Sequence, residues 1–181
     1  MPLLNSLATP YAEALLQVAE SRQETDTVAT QARELLVLWN SSAQLREAMA
    51  SPVLEPEAKK AALSALFDGQ VTASVQNLLK LLADRQRIAV LDAVLERFLE
   101  LYRELRQITL AKVSSATPLS DEQQAQLNQK VQAIAGTQAV EFELSVDPTL
   151  IGGFVVNLGS QVIDASLAGQ VRRLGLALAK V

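Results

Sequence analysis

Carboxylates are the only side chains in this 181-residue sequence that could carry acid–base catalysis in the familiar way, because histidine and cysteine are both absent. Without histidine the usual general base near neutral pH is missing, and so is the commonest metal ligand. Without cysteine there are no disulfides, Cys-ligated zinc sites or thiol nucleophiles. Two carboxylates flanking a substrate could still hydrolyse it. The acids, however, are scattered, and most fall on polar faces of helices or strands. Asp164, followed by Ala165-Ser166, is the best-placed single acid. Its position just ahead of the last helix suits an N-cap better than a catalyst. A small hydrolase or isomerase using Asp164 and a second carboxylate is the enzyme reading. It requires a pocket holding an acid of perturbed pKa.

The glycines invite comparison with phosphate-cradling loops, and the comparison fails. A Walker A loop ends in Gly-Lys-Ser/Thr, and a dinucleotide fingerprint is G-x-G-x-x-G leading into a helix. Here Gly152-Gly153 leads into a strand pattern and Gly159 sits between strands. These glycines are expected to supply positive φ or close backbone approach at turns and bulges. No catalytic residue, metal or cofactor is expected.

Composition narrows the partners. Twenty acidic against sixteen basic residues give a net charge of −4, and no stretch interleaves Lys and Arg with aromatics. That excludes the electrostatic footprint of a nucleic-acid binder and argues against attraction to an anionic bilayer. No run of about 18 apolar residues could span a membrane. The N-terminus, Met1 to Leu7, lacks the basic and apolar regions of a secretion signal and the Arg- and Ser-rich character of a transit peptide. A soluble protein working where it is made is expected. Aromatic residues are only 4% of the chain, so the core must be built from Leu, Val, Ile and Ala.

The elements follow from periodicity. Leu4, Leu7, Ala8, Tyr11, Leu15 and Val18 recur at spacings of three and four, one apolar face of a helix. Either Thr9 caps that helix with Pro10 at its first position, or it starts near Asn5 and holds Pro10 within its first turns. The earlier start is favoured, because Leu4 and Leu7 extend the stripe. A second helix is expected over Asp26–Asn40, carrying Val28, Ala32, Leu35, Leu36 and Trp39, with Trp39 a core residue. Ser41-Ser42-Ala43-Gln44 has a capping-box pattern that opens a short third helix ending before Ser51-Pro52. Pro56 at a first helical position opens a fourth, with Ala61, Leu63, Leu66 and Phe67 on its apolar side and Gly69 as its stop. A fifth covers Thr72–Ala83 with Val75, Leu78, Leu79 and Leu82. The sixth, Ile88–Arg106, is strongly periodic through Leu91, Leu95, Phe98, Leu99, Tyr102 and Leu105. The alternating charges Glu96-Arg97, Glu100 and Arg103-Glu104 read as its solvated face.

At Gln107 the pattern changes. Ile108, Leu110 and Val113 sit among polar residues with a near-alternating period, as expected of a half-buried strand. Ser120, with Gln123 three residues on, opens another helix to about Ala135, which Gly136 ends. Val140, Phe142, Leu144 and Val146 alternate with Glu141, Glu143 and Ser145 in the clearest strand of the chain. Asp147-Pro148 turns it. Phe154–Leu158 and Gln161–Asp164 form a hairpin around Gly159-Ser160, and a last helix spans Leu167–Lys180. The expected fold class is an N-terminal all-α six-helix bundle, residues 1–106, followed by a small α+β domain, residues 107–181, of order β-α-β-β-β-α.

One feature of the first helix is open to two readings. Its apolar stripe is core by default, but small Ala8, Ala12 and Ala14 beside Tyr11 and Leu15 would also let a partner helix approach closely. A free-standing adaptor for some amphipathic helix is thus a further reading of the sequence.

The segment Val146-Asp147-Pro148-Thr149-Leu150-Ile151-Gly152-Gly153-Phe154-Val155-Val156, with Gly159, Val162-Ile163-Asp164, Ser166 and Leu174, closely resembles the C-terminal signature of the delta subunits of rotary (F-type) ATP synthases. The mitochondrial relative is the oligomycin-sensitivity-conferring protein. Tyr11-Ala12-Glu13-Ala14-Leu15 resembles that family's first-helix motif, and Leu79 to Arg87 its segment between the fifth and sixth helices. Gln86 departs from the pattern, since a small residue or Gly often precedes the family's Arg, here Arg87. Gly169 also gives the last helix less intrinsic propensity than usual.

The resemblance implies a non-catalytic stator subunit of a proton-translocating ATP synthase. Its first domain would sit on the alpha/beta catalytic head and hold the alpha subunit's N-terminal helix in a groove between the first and fifth helices. Carried over by position, Tyr11, Ala14, Leu15 and Val18 would line one side, and Leu78, Leu79 and Leu82 the other. The second domain would engage the peripheral-stalk b and b-prime subunits, with Gly152, Gly153, Gly159 and Asp164 as its folding determinants. The resemblance further implies a peripheral membrane protein on the cytoplasmic or stromal face of a bacterial plasma membrane or thylakoid, with no direct insertion into the bilayer and no nucleic-acid partner.

Overall fold

The computed structural model describes residues 2–51, 53–135, 139–159 and 161–178. Among the described residues, eight α-helices and a small mixed sheet divide between two compact units, Met1–Glu104 and Leu105–Val181. The helical unit holds α1 (Pro2–Ser21), α2 (Thr25–Ser41), α3 (Ala43–Ala50), α4 (Pro56–Phe67), α5 (Ala73–Asp84) and most of α6 (Leu91–Arg106). A 3-10 turn, Ile88–Val90, leads into α6. The second unit holds β1 (Ile108–Ser115), α7 (Asp121–Ala135), β2 (Ala139–Val146), β3 (Phe154–Leu158), β4 (Gln161–Asp164) and α8 (Leu167–Leu178).

The early start of α1 is observed, with Pro10 inside the helix. Two helix ends share one device. Glu24 N–H donates to the Ala19 carbonyl and Gln23 N–H to that of Glu20. Arg87 and Gln86 do the same toward Leu82 and Ala83 after α5. Both are Schellman closures, and each puts its glutamine at positive φ, 56° at Gln23 and 53° at Gln86. The Gln86 value explains why glycine would serve there.

Several expectations need correction. The cap of α3 is Ser42, whose hydroxyl accepts from Leu45 N–H at 3.2 Å. Ser41 belongs to α2, and its hydroxyl donates back to the Leu38 carbonyl. The cap therefore falls one residue later than the sequence pattern suggests, and with Leu45 rather than Gln44 at the third helical position it is a one-sided cap, not a capping box. Of the apolar residues assigned to α4, Leu63 and Phe67 are buried, but Ala61 is exposed and Leu66 is 47% exposed. Leu105, at the C-terminal end of α6, is exposed as well. Leu7 and Val18 of the α1 stripe also lie outward. The side chain of Leu4, Gly136, Ser160 and Lys180 lie outside the described residues.

The helical core is aliphatic, as the low aromatic content requires. Ala8, Ala12 and Ala19 of α1 have no exposure, and Val28, Ala29 and Ala32 of α2 likewise. These small residues let the helix backbones pack closely. Phe98 is the largest fully buried side chain among the described residues, and Trp39 is 4% exposed. Arg97 pairs with Glu100 at 2.8 Å on the solvated face of α6.

In the second unit the strand order is β2-β1-β3-β4. β1 pairs parallel with β2, reached through the α7 crossover, and antiparallel with β3, which forms the hairpin with β4. α7 opens on a reciprocal capping box: Gln123 N–H donates to the Ser120 hydroxyl, and the Gln123 amide accepts from Ser120 N–H. Ala111, Val113 and Val156 of the sheet pack with Leu127 and Val131 of α7. Val140 and Phe142 of β2 join this core, but Leu144 and Val146 are 47% and 54% exposed. The expected alternation is not seen in the burial of β2: Glu141 is half-buried like Val140 and Phe142, and residues 143–146 are all exposed.

Candidate partner-binding groove and motif turn

The expected site residues fall in two places, one in each unit. In the helical unit, Tyr11, Ala14, Leu15 and Val18 of α1 face Leu78 of α5 across a groove of about 250 Å³. Arg22, Ser74, Asn77 and Leu81 complete its lining. The α1 sequence has two apolar faces. Ala8, Ala12 and Ala19 point into the core, while Ala14 and Val18 are exposed and Tyr11 is half-buried. Leu15, 4% exposed, belongs to both. Core and surface readings of the stripe thus fall on different residues: Ala8, Ala12 and Ala19 are core, and Ala14 and Val18 stand at the surface.

The second wall differs from expectation. Leu79 and Leu82 are 1% and 0% exposed and belong to the core, so they do not line the groove. The reason is phase. Val75, Leu79 and Leu82 fall on one side of α5, and Ser74, Leu78 and Leu81 on the neighbouring side. Leu81, 42% exposed, was the signal available in the sequence: a leucine one position off the dominant stripe of its helix.

Hydrogen bonds tie the walls at both ends. Arg22 donates to the Ser74 hydroxyl at 3.2 Å, and that hydroxyl donates to Glu24. Arg87 donates to the Tyr11 hydroxyl at 3.1 Å. α1 and α5 therefore run antiparallel, and residues 11 to 22 give a wall of about 16 Å, three helical turns. The floor is apolar, and an arginine stands at each end. This is the form of a helix-in-groove site.

In the second unit, Asp147 accepts from the Thr149 N–H and hydroxyl at 3.0 and 2.7 Å. These bonds hold its carboxyl below the ordinary range. Gly153 has φ +80°, and a Cβ on it would collide with the Ala165 carbonyl; a Cβ on Gly152 would meet the Leu167 side chain. Gly159 turns the β3–β4 hairpin at φ +71°. These are the turn and close-approach roles expected of them.

Asp164 is not itself the cap of α8. Ser166 is: its hydroxyl accepts from Gly169 N–H at 3.0 Å. Asp164 accepts from the Ser166 hydroxyl and N–H at 2.6 and 3.0 Å and so orients the cap. The Ser166 hydroxyl, then its N–H, then Arg173 and Arg172 hold the Asp164 carboxyl below its ordinary value. An acid so firmly ionised is a poor proton shuttle near neutral pH. Among the described residues no three metal-ligating side chains cluster, and no helix is long and apolar enough to cross a membrane.

The helical unit carries an apolar groove, and in the second unit Asp147, Gly152, Gly153, Gly159, Asp164 and Ser166 are engaged in turns, close approaches and a cap. The comparisons with known proteins give the family. A family model described as "ATP synthase delta (OSCP) subunit" matches residues 7–178. The ATP synthase subunit delta of Synechococcus sp. (strain CC9902) is 70% identical over 180 residues, covering 99% of both chains. That of Prochlorococcus marinus (strain MIT 9303) is 70% identical over 181 residues, 100% of both. The organellar chromatophore delta subunit of Paulinella chromatophora is 66% identical over 181 residues. In fold, the chain resembles one from the mitochondrial ATP synthase hexamer of Toxoplasma gondii, with a TM-score of 0.76 at 20% identity, covering 96% of this chain and 97% of that one. The chain belongs to the ATP synthase delta (OSCP) subunit family. It is a structural, non-catalytic subunit of an F-type ATP synthase.

Proposed function

We propose that the chain is a stator subunit that links the alpha/beta catalytic head to the peripheral-stalk b subunits, so that rotor torque is coupled to ATP synthesis. Residues 1–106 act as a six-helix bundle that holds the alpha subunit's N-terminal helix, and residues 107–181 hold the stalk. The chain then sits at the cytoplasmic or stromal face of its membrane through other subunits.

The observation that supports this most is the groove between α1 and α5. Tyr11, Ala14, Leu15 and Val18 oppose Leu78 and Leu81, two apolar ridges with a small residue between them, as an amphipathic helix requires. A joint under torque needs slow dissociation, and packed apolar anchors slow it more than surface charge does. Tyr11 fits such a role. Its ring edges the groove and its hydroxyl is held by Arg87, so it loses little freedom on binding.

Titration calorimetry of the full chain with a synthetic peptide of the alpha N-terminus tests the head-binding half. Saturable binding with a negative heat-capacity change is expected, the mark of apolar burial. Absence of binding, or binding unaffected by closing the groove at Ala14, would overturn it.

A further inference from the structure

The sheet of the second unit ends on β2. It pairs with β1 in unbroken register, from Ile108 with Ala139 to Ser115 with Val146. Among the described residues no strand pairs with its other edge. Protein folds commonly blunt such an edge with a proline, a bulge, a charge or a covering element. β2 contains no proline, its continuous register leaves no bulge, and residues 143–146 are all exposed. Its one safeguard is charge: Glu141 and Glu143, with no basic residue on the strand.

The side chains along this edge sort by face. Phe142, Leu144 and Val146 stand in register with the buried Ala111, Val113 and Ser115. They share the core face, yet Leu144 and Val146 are 47% and 54% exposed. Glu141 and Glu143 lie on the opposite face, where Glu143 meets Lys112 of β1 at 3.2 Å. Both members of that pair are exposed, so it contributes little. Across β1 and β2 this face carries two carboxylates and a single lysine.

Charge decides which strand can be added. A second copy of β2 could pair antiparallel with its apolar face kept on the apolar face. The two longest registers of that kind centre on Phe142 and on Glu143. The first sets Glu141 opposite Glu143 twice, and the second sets Glu143 opposite itself. A parallel, in-register copy would stack each glutamate beside its twin. Like charges directly opposite one another are destabilising.

We propose that the free edge of β2 accepts an extended segment of a different protein. In that segment basic residues opposite Glu141 and Glu143 alternate with apolar residues beside Phe142 and Leu144. Main-chain hydrogen bonds supply the affinity of such an added strand, and its alternating side chains supply the specificity. The glutamates that bar a second copy are the groups that select a cationic partner.

The test uses the full-length chain and a synthetic peptide of alternating valine and lysine, matched to β2 in length, with a valine–glutamate peptide as its counterpart. Binding is read by fluorescence anisotropy and located by amide hydrogen exchange. Saturable binding of the lysine peptide is expected, weakening as salt rises, with the added protection centred on residues 139–146. Glu143→Lys turns an attractive cross-strand pair into a repulsive one and is expected to weaken binding about tenfold. Glu143→Gln, which places no second cation beside Lys112, is expected to weaken it less, in the same direction. Failure of the lysine peptide to bind would overturn the proposal, as would equal affinity for the glutamate peptide. Unchanged binding by both variants, or protection that falls outside the sheet, would do the same. Dimerisation of the free chain with protected β2 amides would also overturn it, by seating a second copy on the edge.

Discussion

The carboxylate of Asp164 occupies the space that a side chain at Gly169 would need: a Cβ there would lie 2.5 Å from its Cγ. Helix propensity alone says that alanine at Gly169 should stabilise α8 by about 1 kcal/mol. The collision reverses that sign, because Asp164 is fixed by Ser166 and cannot swing away freely. Gly169→Ala is expected to lower the midpoint of urea unfolding. The loss should shrink in an Asp164→Ala background, where the clash is gone, giving a non-additive double-mutant cycle.

Asp164 and Asp147 also set an acid limit. Both carboxyls are held below their ordinary value, first by the hydroxyls of Ser166 and Thr149. A carboxyl depressed on folding stabilises the native state fully above its unfolded pKa, about 4. That contribution is lost as pH falls through the lowered native value. Unfolding midpoints are expected to be flat above pH 5 and to fall below about pH 4. Asp164→Asn should be less stable at neutral pH and less sensitive to acid. An equally steep acid limb in that variant would assign the loss to other groups.

How far the sequence was legible depended on whether one local rule or a choice of phase was at stake. The capping box of α7 followed from Ser120 and Gln123 because the partners are three residues apart and need nothing else. The alternation of Val140 to Val146 marked β2 as a strand and put Val140 and Phe142 on the core. It could not show that α7 stops short of Leu144 and Val146, since covering a face depends on a second element. On α5 the paired leucines 78–79 and 81–82 leave two adjacent phases equally apolar, so Leu79 and Leu82 of the core were assigned to the groove. Gly169 looked like a defect because its reason, the Asp164 carboxylate, appears only in three dimensions.

The α5 leucines offer a direct comparison. Leu79 is 1% exposed, and truncating it leaves a cavity; Leu79→Ala is expected to cost about 2–5 kcal/mol. Leu81 is 42% exposed on the groove wall. Leu81→Ala is expected to cost under about 1 kcal/mol in stability but to weaken binding of the alpha N-terminal peptide. Denaturation and calorimetry on the same two variants separate the roles, and the opposite ranking would return Leu79 to the groove.

Ala14 is exposed on the groove wall with Tyr11 and Leu15 beside it. A glutamate there would need no core rearrangement, but it would put an unpaired charge where an apolar ridge must seat. Ala14→Glu is expected to leave the melting temperature of the free chain near wild type and to uncouple the assembled enzyme. ATP hydrolysis by the head should survive, and proton pumping should be lost. A variant that assembled and pumped normally would remove the groove from the mechanism.

Gln86 sits at φ +53°, one residue past the α5 C-cap, where its N–H donates to the Ala83 carbonyl and Arg87 N–H to that of Leu82. An L side chain in this conformation costs about 1 kcal/mol, which glycine avoids. Gln86 is exposed, so its removal sacrifices little packing. The greater freedom of glycine in the unfolded chain takes back part of the gain. Gln86→Gly is therefore expected to stabilise the helical unit by a few tenths up to about 1 kcal/mol. The substitution also tests the groove, because Arg87, next in the chain, holds the Tyr11 hydroxyl. If the turn keeps its geometry, affinity for the alpha peptide should be unchanged while the unfolding midpoint rises. A rise in midpoint with weakened binding would mean that glycine had let Arg87 leave Tyr11.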